Sequence, residues 1–507
     1  MADDKSESGK RLFFTSEIFK DGPRAGGNLS DTIGAEQGLE MFGGDARGRR
    51  RERPARTHLE PAREIPVFAE TDVLVVGGGP AGTAAAIAAG RLGADVLLVE
   101  RYNHLGGLST GGLVIWIDRM TDWSGRHVIR GIANELMERL PHDAIQGPKR
   151  ADWGSRDAAT AAYWAQRTAA YHGIVTWSPT IDPEALKTLS MQMVAEAKVR
   201  LLLHAWAVAP ILEGSRVQGA IFESKEGRHA IYAKVVIDTT GDADLIARTH
   251  ASFESDIDEG DIHHCMNTAF LLGGIDMETW LAFRRQQPDR FSEFMAKGRQ
   301  KLKFFEKPFV SWRNDVALFM GPRLAGYSAV DVEDLTSVEL RSRQLAVGHL
   351  EMYRAAAPGF ANAFLMLGGP QIGVRHSRRL NGLGKVTRQQ WDTGHVWDDE
   401  IGVSTSLSPK FPNISVPYGA LVPAELDNIL GAGRHVACDA SSHTFLREIP
   451  QCWLTGQAAG IAAALAANTD KPPREVPASA IQLELLRQGA YLSPSVEAAL
   501  RPASAAE

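Results

Sequence analysis

The pattern of apolar and polar positions is most regular between residues 72 and 100, where DVLVVGGGPAGTAAAIAAGRLGADVLLVE runs from one apolar stretch to another through a glycine turn. Val73 to Val76 is short, continuous and β-branched, as a parallel strand covered on both faces requires. An alanine-rich helix is predicted from about Gly82 to Leu92, ending at Gly93, and a second strand from Asp95 to Val99 delivers Glu100. Further on, an amphipathic helix is predicted from Asp182 to about Lys198, with Asp182 as its N-cap and Pro183 at its first position. Strands follow at Leu201 to Leu203, Val217 to Glu223 and Ala230 to Ile237, separated by the Glu213-Gly214 and Glu226-Gly227 turns. Helical stretches are predicted near Met277 to Arg299 and Asp334 to Ala357. Asn428 to Arg434 reads as a short strand into a glycine turn. Pro450 then opens a helix whose body, Gln451 to Ala467, is apolar enough to be buried throughout.

The turn between the first two strands carries the clearest chemistry. Gly77, Gly79 and Gly82 fit G-x-G-x-x-G: the first permits the tight turn, the second lets backbone approach a pyrophosphate, and the third lets helix lie close to strand. Pro80 and Ala81 stand at the helix N-terminus, whose free N–H groups and positive dipole suit an anion. Glu100 lies about 20 residues beyond Gly79, where a carboxylate can accept both ribose hydroxyls. Strand, turn, helix and acid together form a βαβ unit built to hold a dinucleotide.

Arg101 to Gly112 (RYNHLGGLSTGG) is a second glycine loop without a strand-helix context of its own. With the first motif it resembles the FAD-binding region of the glutathione-reductase-like superfamily. Three further segments resemble the FAD-dependent oxidoreductase family distantly related to fumarate reductase flavoproteins. They are VVIDTTGDADLIA at Val235 to Ala247, IGVRHSRRLNG at Ile372 to Gly382, and the stretch from VPYGALVP through NILGAGR to REIPQCWLTGQAAGIAAALA between Val416 and Ala466. The resemblance covers about residues 64 to 470 and implies FAD as cofactor. Its implied contacts are Arg101, Gly106, Gly107, Ser109 and Thr110 from the second loop, and the backbone near Ala207 and Val208 at the adenine. Thr240, Gly241 and Asp242 are implied on the pyrophosphate side, with Gly433, Arg434, Gly456, Gln457 and Ala458 at the flavin edge or ribityl chain. Asp242 also fits a helix cap for the segment from Ala243. His104 stands near the position where the fumarate reductase relatives carry a histidine covalently bonded to FAD; a non-covalent cofactor is the expectation.

The expected fold class is therefore α/β: a Rossmann-like FAD-binding domain with a three-layer ββα sheet, interleaved with an α+β substrate domain. The FAD domain is assigned residues 64–115, 178–252 and 414–470, and the substrate domain 116–177 and 253–413. Residues 1–63, rich in Gly, Asp and Arg, are an N-terminal extension, either flexible or an arm on a neighbouring subunit of a homo-oligomer. Residues 471–507 are assigned as a C-terminal tail. A length of 507 residues exceeds one small core, in keeping with two domains. A net charge of −6 gives no support to a nucleic-acid or anionic-membrane partner. No apolar run reaches the roughly 20 residues of a membrane span, and no signal peptide is visible, so a cytoplasmic chain is expected. Cys265, Cys438 and Cys452 are too scattered for a disulfide framework, a zinc site or disulfide reductase chemistry, and no metal is expected.

The expected activity is oxidation or reduction of a small organic substrate by hydride transfer through flavin N5. No second G-x-G-x-x-G has strand-helix context, so the electron acceptor is left open. A flavin monooxygenase using NAD(P)H and oxygen is the alternative enzyme, and an assembly protein with structural FAD the alternative outside enzymes. Arg375, Arg378 and Arg379 can bind a substrate carboxylate, an FAD phosphate or structural partners. His443 and Arg447 precede the flavin helix, where His443 is a candidate acid or base against a satisfied loop histidine. Cys452 sits one turn into that helix, where packing competes with a reactive thiol. The aromatic run Trp116, Trp123, Trp153, Tyr163, Trp164, Tyr171 and Trp177 marks the first piece of the substrate domain.

Overall fold

The structure is a computed structural model that describes residues 55–255, 266–324 and 327–501, together with the backbone of two-residue strands at Thr32–Ile33, Glu40–Met41 and Gly44–Asp45. Most of the N-terminal extension, its expected role as an arm, and Cys265 lie outside the described residues. Thr32–Ile33 pairs in parallel with Arg323–Leu324 of its own chain.

The seven-stranded sheet and its helices start from β1 (Val67–Val76), α1 (Pro80–Arg91) and β2 (Val96–Val99). After the first aromatic-rich excursion come α2 (Pro183–Glu196), β3 (Arg200–Leu202), β4 (Trp206–Glu213), β5 (Arg216–Ser224) and β6 (Gly227–Asp238). β7 (Ile429–Gly431) and α3 (Ile449–Thr469) complete it. The sheet order is β3-β2-β1-β6-β5-β4, with β7 also pairing β6. β6 has three strand neighbours within this one sheet. Its first half pairs antiparallel with β5, while its second half pairs in parallel with β7, and β1 runs parallel beside it along nearly its whole length. Val73, Leu74, Val75 and Val96 are fully buried between layers, which is why these strands read as unbroken apolar runs.

α1 and α3 cross in intimate contact because both carry small residues. A Cβ on Gly456 would stand 2.1 Å from the Ala81 carbonyl, and one on Gly460 2.1 Å from that of Ala85. Nearly every residue of α3 is buried, as the apolar pattern predicted. Asp182 caps α2, accepting from the Glu184 and Ala185 N–H groups.

Three elements differ from expectation. β4 was not foreseen, because Pro210 at its centre weakens a strand pattern; the strand lies at the sheet edge, where a missing N–H is tolerated. The single helix expected over Met277 to Arg299 is two, Met277–Gln286 and Pro288–Leu302, since proline opens a new helix and disfavours helix in the residue before it. The C-terminal tail is packed structure. Ile481 and Leu485 of the helix Ala478–Arg487 are buried, and Gln482 Nε2 donates to the Asp398 and Glu400 carbonyls. A separate hydrophobic core contains Trp280, Tyr353 and Phe360 together with residues of a four-stranded sheet that includes Phe270–Gly273 and Val316–Phe319.

Candidate active site

A cleft with about 970 Å³ of space, part of it open to solvent, runs from the end of β2 past the N-terminus of α1 to the first turn of α3. The three motif glycines divide the work of building it. Gly77 has φ +102°, and a Cβ there would lie 2.6 Å from the Thr239 carbonyl oxygen. A Cβ on Gly82 would stand 1.7 Å from the Gly77 carbonyl oxygen, so this glycine seats α1 on β1. A Cβ on Gly79 would meet nothing within 4 Å, and Gly79, Pro80 and Ala81 line the cleft at the helix N-terminus. Backbone is thus bared where an anion can approach it.

Glu100 is buried, with Oε2 accepting the Gly78 N–H at 2.5 Å and Oε1 the Tyr102 N–H at 2.8 Å. Burial pushes its carboxyl above the usual range, against the downward pull of those two N–H groups. Arg101 stacks over Tyr102 and Trp206, a planar platform beside Glu100. Ala205, Trp206 and Ala207 line the cleft but Val208 does not.

Thr240, Gly241 and Asp242 line the middle of the cleft. Asp238 holds this turn: Oδ1 accepts from the Thr240 N–H and hydroxyl, Oδ2 from the Leu245 and Ile246 N–H groups. Asp242 Oδ1 accepts from Ser377 Oγ at 2.5 Å and Arg434 Nη2 at 2.8 Å. Burial would raise the Asp242 carboxyl, but Arg434 and Ser377 outweigh it and hold the group below the ordinary range. Asp242 is a carboxylate acceptor, and its main-chain oxygen also accepts from Arg378 at 3.1 Å.

At the far end, Gly107, Leu108, Gln371, Gly433, Arg434 and Arg447 line the cleft. Arg447 Nε donates to His376 Nε2 at 3.2 Å, and Arg447 pairs with Glu448 at 3.1 Å. The Oε1 of Gln371 is buried with no hydrogen-bond partner among the described residues. Ile449 and Cys452 close this end. Burial pushes the Cys452 thiol up to about 12, so it packs as a neutral group.

Several sequence candidates stand outside the cleft lining. Gly106 N–H donates to the Gly78 carbonyl, and the Ser109 and Thr110 hydroxyls donate to the Gly106 and Leu105 carbonyls, so these residues shape the second loop from behind. Gly456 faces α1, Ala458 is buried in the core, and Gln457 Oε1 accepts the Ile132 N–H. The small size of Gly456 answers to the α1 crossing. His443 is fully buried, its Nε2 2.7 Å from the Arg434 carbonyl oxygen and its ring edge-on to His376. That geometry makes it a support behind Arg434. Arg375 adjoins cleft residue Val374 without lining the cleft, and Arg379 is spent on Glu254 and the Cys438 carbonyl. His104 is buried against Gly111, with Nδ1 2.9 Å from Asn103 Oδ1. Among the described residues no group of His, Cys, Asp and Glu could hold a metal ion, and no helix is long and apolar enough to cross a membrane.

Tyr102, Trp206, Leu108 and Gln371 were not anticipated. The stacking pair Arg101 and Trp206 is separated by about a hundred residues, and only the pairing of β3 with β2 brings them together.

A family model described as FAD dependent oxidoreductase matches residues 72–485. Digeranylgeranylglycerophospholipid reductase 2 of Methanopyrus kandleri is 30% identical over 218 residues, covering 41% of this chain and 46% of that protein. Reductase 1 of the same organism is 32% identical over 189 residues, covering 36% and 42%. The match thus spans less than half the length of either relative. Among solved structures, a geranylgeranyl bacteriochlorophyll reductase-like protein from Thermoplasma acidophilum is similar with a TM-score of 0.41 at 13% identity, over 85% of this chain and 91% of that one.

Proposed function

The chain belongs to the FAD dependent oxidoreductase family, and from that premise we propose that it is a dehydrogenase or reductase of a small, largely apolar organic substrate, with FAD held non-covalently in the cleft. The observation that carries this reading is the continuity of one cleft from Glu100, past the bared backbone at Gly79, to an apolar end walled by Leu108, Ile372, Val374 and Ile449. When bound, FAD supplies the hydride-exchanging ring system.

Each residue has a task that its surroundings support. Glu100 is fixed by two backbone N–H groups and retains lone pairs for ribose hydroxyls. The N-terminus of α1 offers N–H groups and dipole to the pyrophosphate. Arg434, anchored by Asp242, adds a positive charge that cannot swing away. Arg447, steadied by His376, and the unsatisfied Gln371 amide are the polar groups available to orient a substrate. His104, turned toward Asn103 and away from the cleft lining, supports a non-covalent cofactor. The apolar walls, and the geranylgeranyl-lipid reductases among the relatives, favour a substrate whose reacting part is hydrocarbon.

The test is anaerobic titration of the purified yellow protein with pools of acids, alcohols, aromatics and prenyl compounds, and of the dithionite-reduced protein with the unsaturated ones. Bleaching of the flavin band by one pool, or its return from the reduced form, is expected. Turnover only with NAD(P)H and oxygen together would overturn the reading in favour of a monooxygenase.

A further inference from the structure

A second recess, sharing no lining residue with the large cleft, is walled by Arg126, His127, Arg130, Asn134, Glu138, Arg150 and Trp153 and encloses about 870 Å³, part of it open to solvent. Three separate pieces of chain converge there, each held by its own bonds. In the turn at 122–126, Asp122 Oδ1 accepts from the Ser124 N–H and hydroxyl and from the Arg126 N–H. This turn lies against the chain at 153–154 so closely that a Cβ on Gly125 would stand 2.5 Å from the Trp153 carbonyl oxygen, and one on Gly154 2.5 Å from that of Ser124. Trp153 is fixed by its Nε1 bond to the Pro148 carbonyl, by packing on Trp177 and by the edge of His127. Asn134 and Glu138 lie four apart on one face of the helix Ile132–Arg139, and Arg130, just before the helix, lines the same recess.

The charges on this wall are unbalanced. Three guanidinium groups face one carboxylate, a surplus of about two charges on the ordinary ionisation of arginine and glutamate. Arg126 donates to the Tyr491 hydroxyl, while Arg130 and Arg150 have no carboxylate partner among the described residues. Elsewhere on the same helix the opposite holds, for Glu135 takes both Arg91 and Arg139. His127 Nε2 is buried at this wall with no hydrogen-bond partner among the described residues. We propose that the recess is a binding site for a dianionic phosphate group, free or carried on a small organic molecule.

A phosphate group carries about −1.5 to −2 charges at neutral pH and matches the surplus, which a monocarboxylate leaves half uncompensated. Its three oxygens suit guanidinium forks arriving from separate segments. Burial first, then Arg130, pull the His127 imidazole down to about 4, against a bond to the Ile129 backbone, so the ring adds no charge of its own to the arginine surplus. The ring of Trp153, with Arg150 5.9 Å from its centroid, gives a planar organic group a surface to lie on.

Calorimetric titration of the full-length protein as purified, with phenyl phosphate, inorganic phosphate and benzoate at constant ionic strength, tests the site. One phosphate per chain is expected, with benzoate at least tenfold weaker. Phenyl phosphate binding tenfold more tightly than inorganic phosphate identifies an organic carrier; equal binding identifies the free anion. Arg130 and Arg150 are exposed, and among the described residues Arg150 touches only the Trp153 ring, which has its own bond to the Pro148 carbonyl, so the double variant R130Q/R150Q is expected to keep its flavin spectrum and melting temperature while losing about 100-fold in phosphate affinity, roughly tenfold for each charge-assisted bond. Absence of phosphate binding at millimolar concentration, or binding that survives R130Q/R150Q unchanged, would overturn the proposal.

Discussion

The two ends of the large cleft are built on opposite principles. From Glu100 to the middle of the cleft the carboxylates already have partners: Glu100 is held by Gly78 and Tyr102, Asp242 by Ser377 and Arg434, and Asp238 by four donors of its own turn. At the Gln371 end an amide oxygen is buried without a partner among the described residues, amid apolar walls. A buried acceptor left unpaired costs about 1–3 kcal/mol, so it marks a place where a bound molecule completes the bonding. The carboxylates of the first stretch are fixed by protein donors before any ligand arrives, whereas the Gln371 oxygen has no protein donor among the described residues.

Variants can break this contrast. The largest expected effect is that of Gly82→Ala, which drives a Cβ to 1.7 Å from a backbone oxygen that cannot move aside; about 3 kcal/mol of stability or the soluble protein itself is lost, as denaturant unfolding would record. Asp242→Asn follows, at about 3 kcal/mol or less, by leaving Arg434 buried beside a neutral partner. Because the folded Asp242 carboxyl lies below its unfolded value, the stability it adds is present above the unfolded value near pH 4 and lost as pH falls through the folded one. Melting temperatures below pH 4 should therefore separate wild type from D242N less than those at pH 7.

Glu100 has the opposite sign. Burial raises its folded carboxyl, so its contribution is full below the unfolded value and is lost as pH rises through the folded one. Glu100→Gln relieves that burial cost but sets an amide N–H against one of the two backbone N–H groups, so the cofactor-free melting temperature at pH 7 is expected to change little, while FAD affinity measured by fluorescence falls about tenfold, in keeping with a lost charge-assisted bond. Gln371→Ala has the opposite sign in stability, since it removes the unpaired acceptor and is expected to stabilise the cofactor-free protein by up to about 1 kcal/mol. Its FAD content should match wild type and its kcat/KM on the identified substrate should fall roughly tenfold; an unchanged kcat/KM would remove the contrast between the two ends.

The satisfied end was also the legible one. Gly77, Gly79, Gly82 and Glu100 belong to one short βαβ segment, where spacing in sequence translates directly into spacing in space. The D-x-T-G-D turn and Arg434 were legible through resemblance. Gly456 and His443 were seen as important residues, but their work is to seat α1 against α3 and to support the Arg434 carbonyl, which requires knowing which helix crosses which. Trp206 and Gln371 gave no local signal, since each reaches the cleft only through long-range pairing, β4 through the sheet and Gln371 through its N–H bond to the Gly111 carbonyl.

Gly79 puts the central claim to its most direct test, because a side chain there meets no protein atom within 4 Å and enters the cleft alone. FAD released by acid precipitation should be measured for wild type and for Gly79→Val, alongside the melting temperatures of both cofactor-stripped proteins. The account predicts near-stoichiometric FAD from wild type, little from G79V, and closely similar melting temperatures for the two stripped proteins. A folded G79V that carries FAD as fully as wild type would contradict it.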